Sequence, residues 1–535
     1  MPAFYLPRSF SRWARWQPTG GPAVAGLPRV LGLARAARGG WGLALLSLGA
    51  RPLAAQTLAL PALIEQALAT SAAGVQARAA REAGYWSYRA YLASYRPQLA
   101  LQGVVPNFNR AILPVVQPDG TTAFQTVRYN NSLLAVNLSQ NIGATGGQVV
   151  VGSQVQRFDD FIRTEKRYNN QPFTLGLSQP LGYFNGLKWA RRIEPLRYQE
   201  SQRQYLEDRE TLAQRVAELY FDVLLQQVTA AVAGQNAQAA AELLRVGREK
   251  YTLGRLSQSD LLQLELSLLN AQQAQGQAYL DAENAAVSLR TYCALPGSAA
   301  SPEASPSPAG SPAAGADALP ALVVPAAAPA PAVPPAEALG QARQHRAAVL
   351  AFARQRLQTT RDVAQARGTT GLLATLTANL GYVNQAPGLL DSYLALQNQQ
   401  QVSLAFSLPL VDWGRRRATV RAAELARDQT QAAVSQDERS FEQTVLTQAA
   451  QVPALAAQAR LAARADTLAQ RRYAITRATY EAGRLSLTDL TLASAAKDLA
   501  RRNYILALRA GWVAYYRLRG LTLFDFETQQ PLGAE

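Results

Sequence analysis

Tyr251-Thr252-Leu253-Gly254-Arg255-Leu256-Ser257-Gln258-Ser259-Asp260-Leu261 recurs 229 residues later as Tyr480-Glu481-Ala482-Gly483-Arg484-Leu485-Ser486-Leu487-Thr488-Asp489-Leu490, with seven of eleven positions identical. Each copy reads as a helix stop followed by a helix start. Gly254 or Gly483 supplies the left-handed residue that ends a helix. Ser257 or Ser486 then caps the next one, and Asp260 or Asp489 stands three residues on, as in a capping box. The two segments, 251–260 and 480–489, are therefore tips of αα-hairpins. An aspartate in a first helical turn also suits the helix dipole, so a purely capping role for Asp260 and Asp489 stays open beside any other.

The repeat reaches beyond the tips. Gln179-Pro180-Leu181 and Leu408-Pro409-Leu410 share the offset of 229, whereas Ile64–Leu68 matches Leu339–Arg343 at an offset of 275, leaving 46 extra residues in the first half. The expected organisation is a leader over 1–55, a first repeat over 56–295, a Pro/Ala/Ser-rich flexible linker over 296–335, a second repeat over 336–522 and a tail over 523–535.

Within each half the hydrophobic period changes twice. Residues 58–95 read as helix. Strands are expected at about 98–181, where Leu134, Val136 and Leu138 alternate with Ala135, Asn137 and Ser139, and Phe173, Leu175 and Leu177 with Thr174, Gly176 and Ser178. The second half repeats this at about 372–410 with Leu376, Ala378 and Leu380, then Val402, Leu404 and Phe406. One face is apolar and the other small and polar, which suits either a membrane barrel or a soluble sandwich. Long helices follow, one expected from Pro195 at a first turn to Tyr251, the other from about Arg416 to Tyr480 with a kink or break at Pro453.

Composition excludes several classes. A single His345 and a single Cys293 cannot build a disulfide framework or a His/Cys metal site, and acid–base or nucleophilic catalysis lacks parts, so no enzyme, cofactor or metal is expected. The net charge of +16 is spread along helical segments without aromatic interleaving, which argues against nucleic acid and leaves contact with anionic lipid open. Arg29, Arg35 and Arg38 precede the apolar run Trp41–Ala50 and the small pair Ala54-Ala55, the order of a secretory signal peptide.

Helix, strands, long helix, Tyr-x-x-Gly-x-x-Ser-x-x-Asp turn and returning helix, all duplicated from about Leu58 to Thr522, resemble the TolC-type outer membrane efflux protein family, the outer membrane factors. The segment Gln179–Trp189 resembles its Bacteroidetes branch. The resemblance implies a mixed α/β membrane protein. In it a homotrimer shares one outer-membrane β-barrel, continued by a periplasmic α-helical coiled-coil barrel, and acts as the channel of a tripartite efflux or type I secretion system for small molecules or exported proteins. It implies hairpin tips (Gly254, Ser257, Gly483, Ser486) that meet a periplasmic adaptor, or membrane fusion protein, linked to an inner-membrane pump of RND or ABC type. It also implies a gate at Asp260, Tyr480 and Asp489, in which Tyr480 hydrogen-bonds Asp260. Leu485 and Leu492 depart from the best-known member, which has an arginine and an aspartate there, and Arg484 is a possible substitute.

Independently of the resemblance, four to six strands cannot close a membrane barrel and an open edge is intolerable in lipid, so several chains must share one. The extra residues of the first half, centred on Gly143–Gly147, predict a hairpin beyond the two strands per half that the resemblance implies, one that either extends the family's twelve-stranded trimer barrel toward eighteen or packs outside the membrane. A secreted coiled-coil scaffold or adhesin without a lumen is the alternative; it explains the helices but not the two-faced strands.

Overall fold

The computed structural model describes residues 59–295, 322–325, 327–482 and 484–533; the leader, most of the expected linker and Gly483 lie outside them. The first half runs α1 (Leu60–Thr70), α2 (Ala72–Ala93), β1 (Gln98–Val104), β2 (Phe108–Val116), β3 (Thr122–Ile142), β4 (Gly147–Asp160), β5 (Glu165–Leu181), α3 (Gly186–Thr252) and α4 (Gln258–Cys293). The second half repeats the scheme with fewer strands: α5 (Pro335–His345), α6 (Ala347–Thr369), β6 (Leu373–Ala386), β7 (Gln397–Ser407), α7 (Arg415–Glu481) and α8 (Leu487–Thr522). A two-residue pair, β8 (Phe524–Asp525) and β9 (Gln530–Pro531), ends it.

The helices carry the core. Leu212, Val216, Tyr220 and Val223 of α3 are buried with Leu63 of α1, Leu289 of α4 and Ile505 of α8. The second core places Val445, Ala449 and Val452 of α7 against Ala342 of α5 and Leu518 of α8. Val216, Tyr220 and Val223 map onto Val445, Ala449 and Val452 at the offset of 229, so the repeat seen at the tips also governs packing. One window of α3 is apolar enough to cross a membrane by composition, and 44% of it is buried within the protein.

Pro195 does not open its helix, and Pro453 does not interrupt its own. Helix α3 begins at Gly186, where Asn185 accepts a hydrogen bond from the Lys188 amide at 3.1 Å, and Pro195 lies inside it. Helix α7 likewise runs through Pro453 to Glu481 without a break. Each proline removes one ladder bond from a helix of 67 residues, a local loss that tertiary burial on both sides, at Ile193 and at Val452 and Ala456, offsets. Nor is the end of the linker free. Leu322 is buried in the first core, the Val323 carbonyl accepts the Tyr220 hydroxyl at 2.6 Å, and Val333 joins the second core.

The strands β1 to β7 form one antiparallel sheet in the order β1-β3-β4-β5-β6-β7, with β2 beside the upper part of β3. The β3–β4 turn is fastened to the helix ends: Gln140 donates to the Tyr95 carbonyl at 2.8 Å, Asn141 to that of Ser94 at 3.1 Å, and Asn185 to that of Ala144 at 3.1 Å. Below the sheet α3 pairs with α4 and α7 with α8, and α3 touches α8. Leucines at seven-residue spacing, Leu485, Leu492, Leu499 and Leu506, stay exposed along α8 and its approach, as do Leu461, Leu468 and Ile475 along α7.

Candidate functional site

Two places concentrate the features that could act, the hairpin tips and the sheet faces. At the first tip α3 ends with Gly254 at φ +67, the Gly254 amide donating to the Tyr251 carbonyl and that of Arg255 to Lys250, both at 2.9 Å. This is the Schellman arrangement. The second tip reproduces its outer bond, from the Arg484 amide to the Thr479 carbonyl at 3.1 Å. Gly483 lies outside the described residues.

Ser257 caps α4 by accepting from the Asp260 amide at 3.1 Å, and its hydroxyl donates to Asp260 Oδ2 at 2.6 Å. Ser486 does the same for α8, with 3.2 Å from the Asp489 amide and 2.7 Å to Asp489 Oδ2. Here the Ser486 amide also donates to Asp489 Oδ2 at 3.4 Å, completing a capping box. Both aspartates and both serines are exposed.

Tyr480 is not hydrogen-bonded to Asp260 within the protomer, contrary to expectation. The Asp260 carboxylate is committed to its own cap, and Tyr480 faces Lys250, whose Nζ is 5.8 Å from the ring centroid. Partial burial pushes the Tyr480 phenol above its ordinary pKa. The two hairpins thus meet through an ammonium and an aromatic face.

The sheet has two unlike faces. Row by row across neighbouring strands, Leu99, Leu138, Val151, Leu175 and Leu380 stand opposite one another, and Val149, Leu177, Ala378 and Val402 make a second row. The other face presents Ala100, Asn137, Gly152, Thr174, Gly381 and Gln399 in one row. Leu99, Leu101, Val402, Leu404 and Phe406 are exposed. Among the described residues no α-helix packs across the apolar face. A soluble sandwich would bury it against a second sheet, and the only other sheet among the described residues is the short β8–β9 pair.

Residues 135–294 and 338–522 match the family described as outer membrane efflux protein. The chain belongs to the outer membrane efflux protein family. No curated protein matches it. Among solved structures it is similar to the Campylobacter jejuni CmeC outer membrane channel, with a TM-score of 0.60 and 14% identity over 89% of this chain and 87% of that one. It is also similar to the outer membrane protein VceC of Vibrio cholerae, TM-score 0.59, 15% identity, over 86% and 95%. A third is the open state of the Neisseria gonorrhoeae MtrE outer membrane channel, TM-score 0.55, 17% identity, over 86% and 88%. At such identities these likenesses carry the fold.

An outer membrane efflux protein is an outer-membrane channel of tripartite efflux, with a β-barrel set in the membrane and a long helical part in the periplasm. Members are passive channels, trimeric, and work with adaptor proteins and inner-membrane pumps. In this frame the apolar rows face lipid and the small polar rows face water. Sequence reasoning missed Lys250 as the neighbour of Tyr480, because the pair joins residues 230 positions apart. It also missed the exposed leucine rows, although the seven-residue spacing from Leu485 to Leu506 was open to reading.

Proposed function

We propose that three copies of this protein assemble into a passive exit duct for small molecules or exported proteins, its barrel in outer-membrane lipid. The observation that carries this reading is the sheet itself, apolar on one face, polar on the other and open at both edges. Such a sheet is tolerable in lipid only when other copies close it. The tips at Gly254, Ser257, Gly483 and Ser486 dock a periplasmic adaptor, which connects the duct to an inner-membrane pump of RND or ABC type. Nothing in the two-faced sheet serves a scaffold without a lumen.

The gate lies at the same tips. Asp260 and Asp489 each occur three times around the axis of a trimer, and clustered exposed carboxylates attract cations into a narrow mouth. Tyr480, seated on Lys250, holds the second hairpin against the first until the adaptor separates them. The test is single-channel recording of the purified trimer in a planar bilayer, together with export in cells. A trimer that inserts yet passes no current at any voltage, with or without adaptor, would sink the duct.

A further inference from the structure

The pairing registers set the size of the barrel. The row that starts at Gln98, the base of β1, passes through Ser139, Val150, Gly176 and Asn379 to Gln401 on β7. Ser407, the base of β7, lies six residues below Gln401. Both bases adjoin helices of the tunnel, α2 before β1 and α7 after β7, so they belong at one level. The rows therefore climb six residues relative to the base across the six strand positions of one copy. One residue of climb per strand corresponds to a strand tilt of about 35°, within the range of closed barrels.

From this geometry we infer that β7 of one copy pairs with β1 of a second copy, Ser407 opposite Gln98, closing an eighteen-stranded barrel in the trimer. The inference rests on the trimeric reading above. Three further relations support it. Strand β7 runs toward the helices and β1 away from them, so the new pair is antiparallel like the rest. The climb is an even number, so faces are kept: Leu99 meets Phe406 and Leu101 meets Leu404 on the lipid side, while Ala100 meets Ala405 and Gln102 meets Ser403 on the water side. The apolar rows also run through β1, β3 and β4 at the same level as through β5 and β6. This places the added β3–β4 hairpin in the wall and not outside it. The backbone diameter becomes about 34 Å, against about 22 Å for twelve strands of the same tilt.

The test is an oxidative crosslink in the full chain carrying Ala100→Cys with Ala405→Cys; the native Cys293 is buried and free. The expected result is a covalent trimer on denaturing gels, with each single variant remaining monomeric. The inference is overturned if the native trimer forms, the Ala100–Ala405 pair stays uncrosslinked, and Ala405→Cys couples instead to Val150→Cys, which would make β4 the edge of a twelve-stranded barrel. A chain that remains monomeric by mass in detergent and in lipid discs refutes the trimeric reading itself. If the double variant does not fold, single-particle imaging of the wild-type trimer decides by strand count, eighteen supporting the inference and twelve ending it.

Discussion

Lys250 holds its ammonium 5.8 Å from the centre of the Tyr480 ring, across the two hairpins and one turn before the tip of the first. A cation against an aromatic face contributes about 0.5–1 kcal/mol at such a half-open site. That is small enough for an adaptor to overcome. The ring, not the hydroxyl, makes the contact. Tyr480→Phe should therefore leave resting conductance unchanged, whereas Tyr480→Ala and Lys250→Ala should each raise it with the trimer yield preserved. A rise with Tyr480→Phe equal to that with Tyr480→Ala would return the hydroxyl to the gate.

The two tip aspartates differ in their caps, and the difference is measurable. Asp489 accepts from both the hydroxyl and the amide of Ser486, whereas among the described residues Asp260 accepts from the Ser257 hydroxyl alone. Asp489→Ala should cost about 1 kcal/mol of stability and Asp260→Ala less. Both should shift the reversal potential toward weaker cation preference. Unaltered reversal potentials alongside lowered stability would reduce both residues to caps.

Gly254 sits at φ +67 with open space around the position of a Cβ, so a substitution there meets backbone strain alone. Gly254→Val should distort the tip at a cost of about 1–2 kcal/mol and lower export while the trimer persists. Gly254→Asn, which tolerates the left-handed region, should restore most of the export. Equal export from all three forms in a cell assay would separate the tip from adaptor docking.

Glu210 of α3 and Arg519 of α8 join the two halves of the chain at 3.2 Å, and Glu210 Oε2 has no hydrogen-bond partner among the described residues. Burial raises the Glu210 pKa above the usual carboxylate range, more than the Arg519 charge lowers it. A carboxyl whose folded pKa is raised favours the fold when protonated, and this contribution is lost as pH climbs through the folded value. Arg519→Leu should thus destabilise by about 3 kcal/mol at pH 8 and by distinctly less near pH 5. Thermal melting at the two pH values checks the sign; an equal loss at both would mean that Glu210 does not titrate there.

The fold was largely legible because its signals are local and doubled. The alternation from Leu134 to Leu138 needs only a period of two, and the tip motif needs only a glycine, a serine and an aspartate at fixed spacing. The extra strands were announced by 46 unmatched residues, but not their place in the sheet. Pairing Leu99 with Leu138 and Val151 with Leu175 is a long-range choice that periodicity does not contain. The prolines misled for the opposite reason: a local rule about Pro195 and Pro453 yields when long helices are buried on either side. At the tips the caps were readable from Ser257 and Ser486. The contact of Tyr480 with Lys250 instead of Asp260 depends on how two distant hairpins rotate against each other.

The leucine rows along α7 and α8 bear on how the protein comes into being. With Leu492 63% and Leu499 52% exposed, a subunit on its own carries a sticky seam through water until it meets its neighbours. Maturation is then a race between encounter with sister subunits and capture by anything else apolar. The melting temperature of the finished particle should climb with the concentration of its own polypeptide, as it does when folding and association are one event.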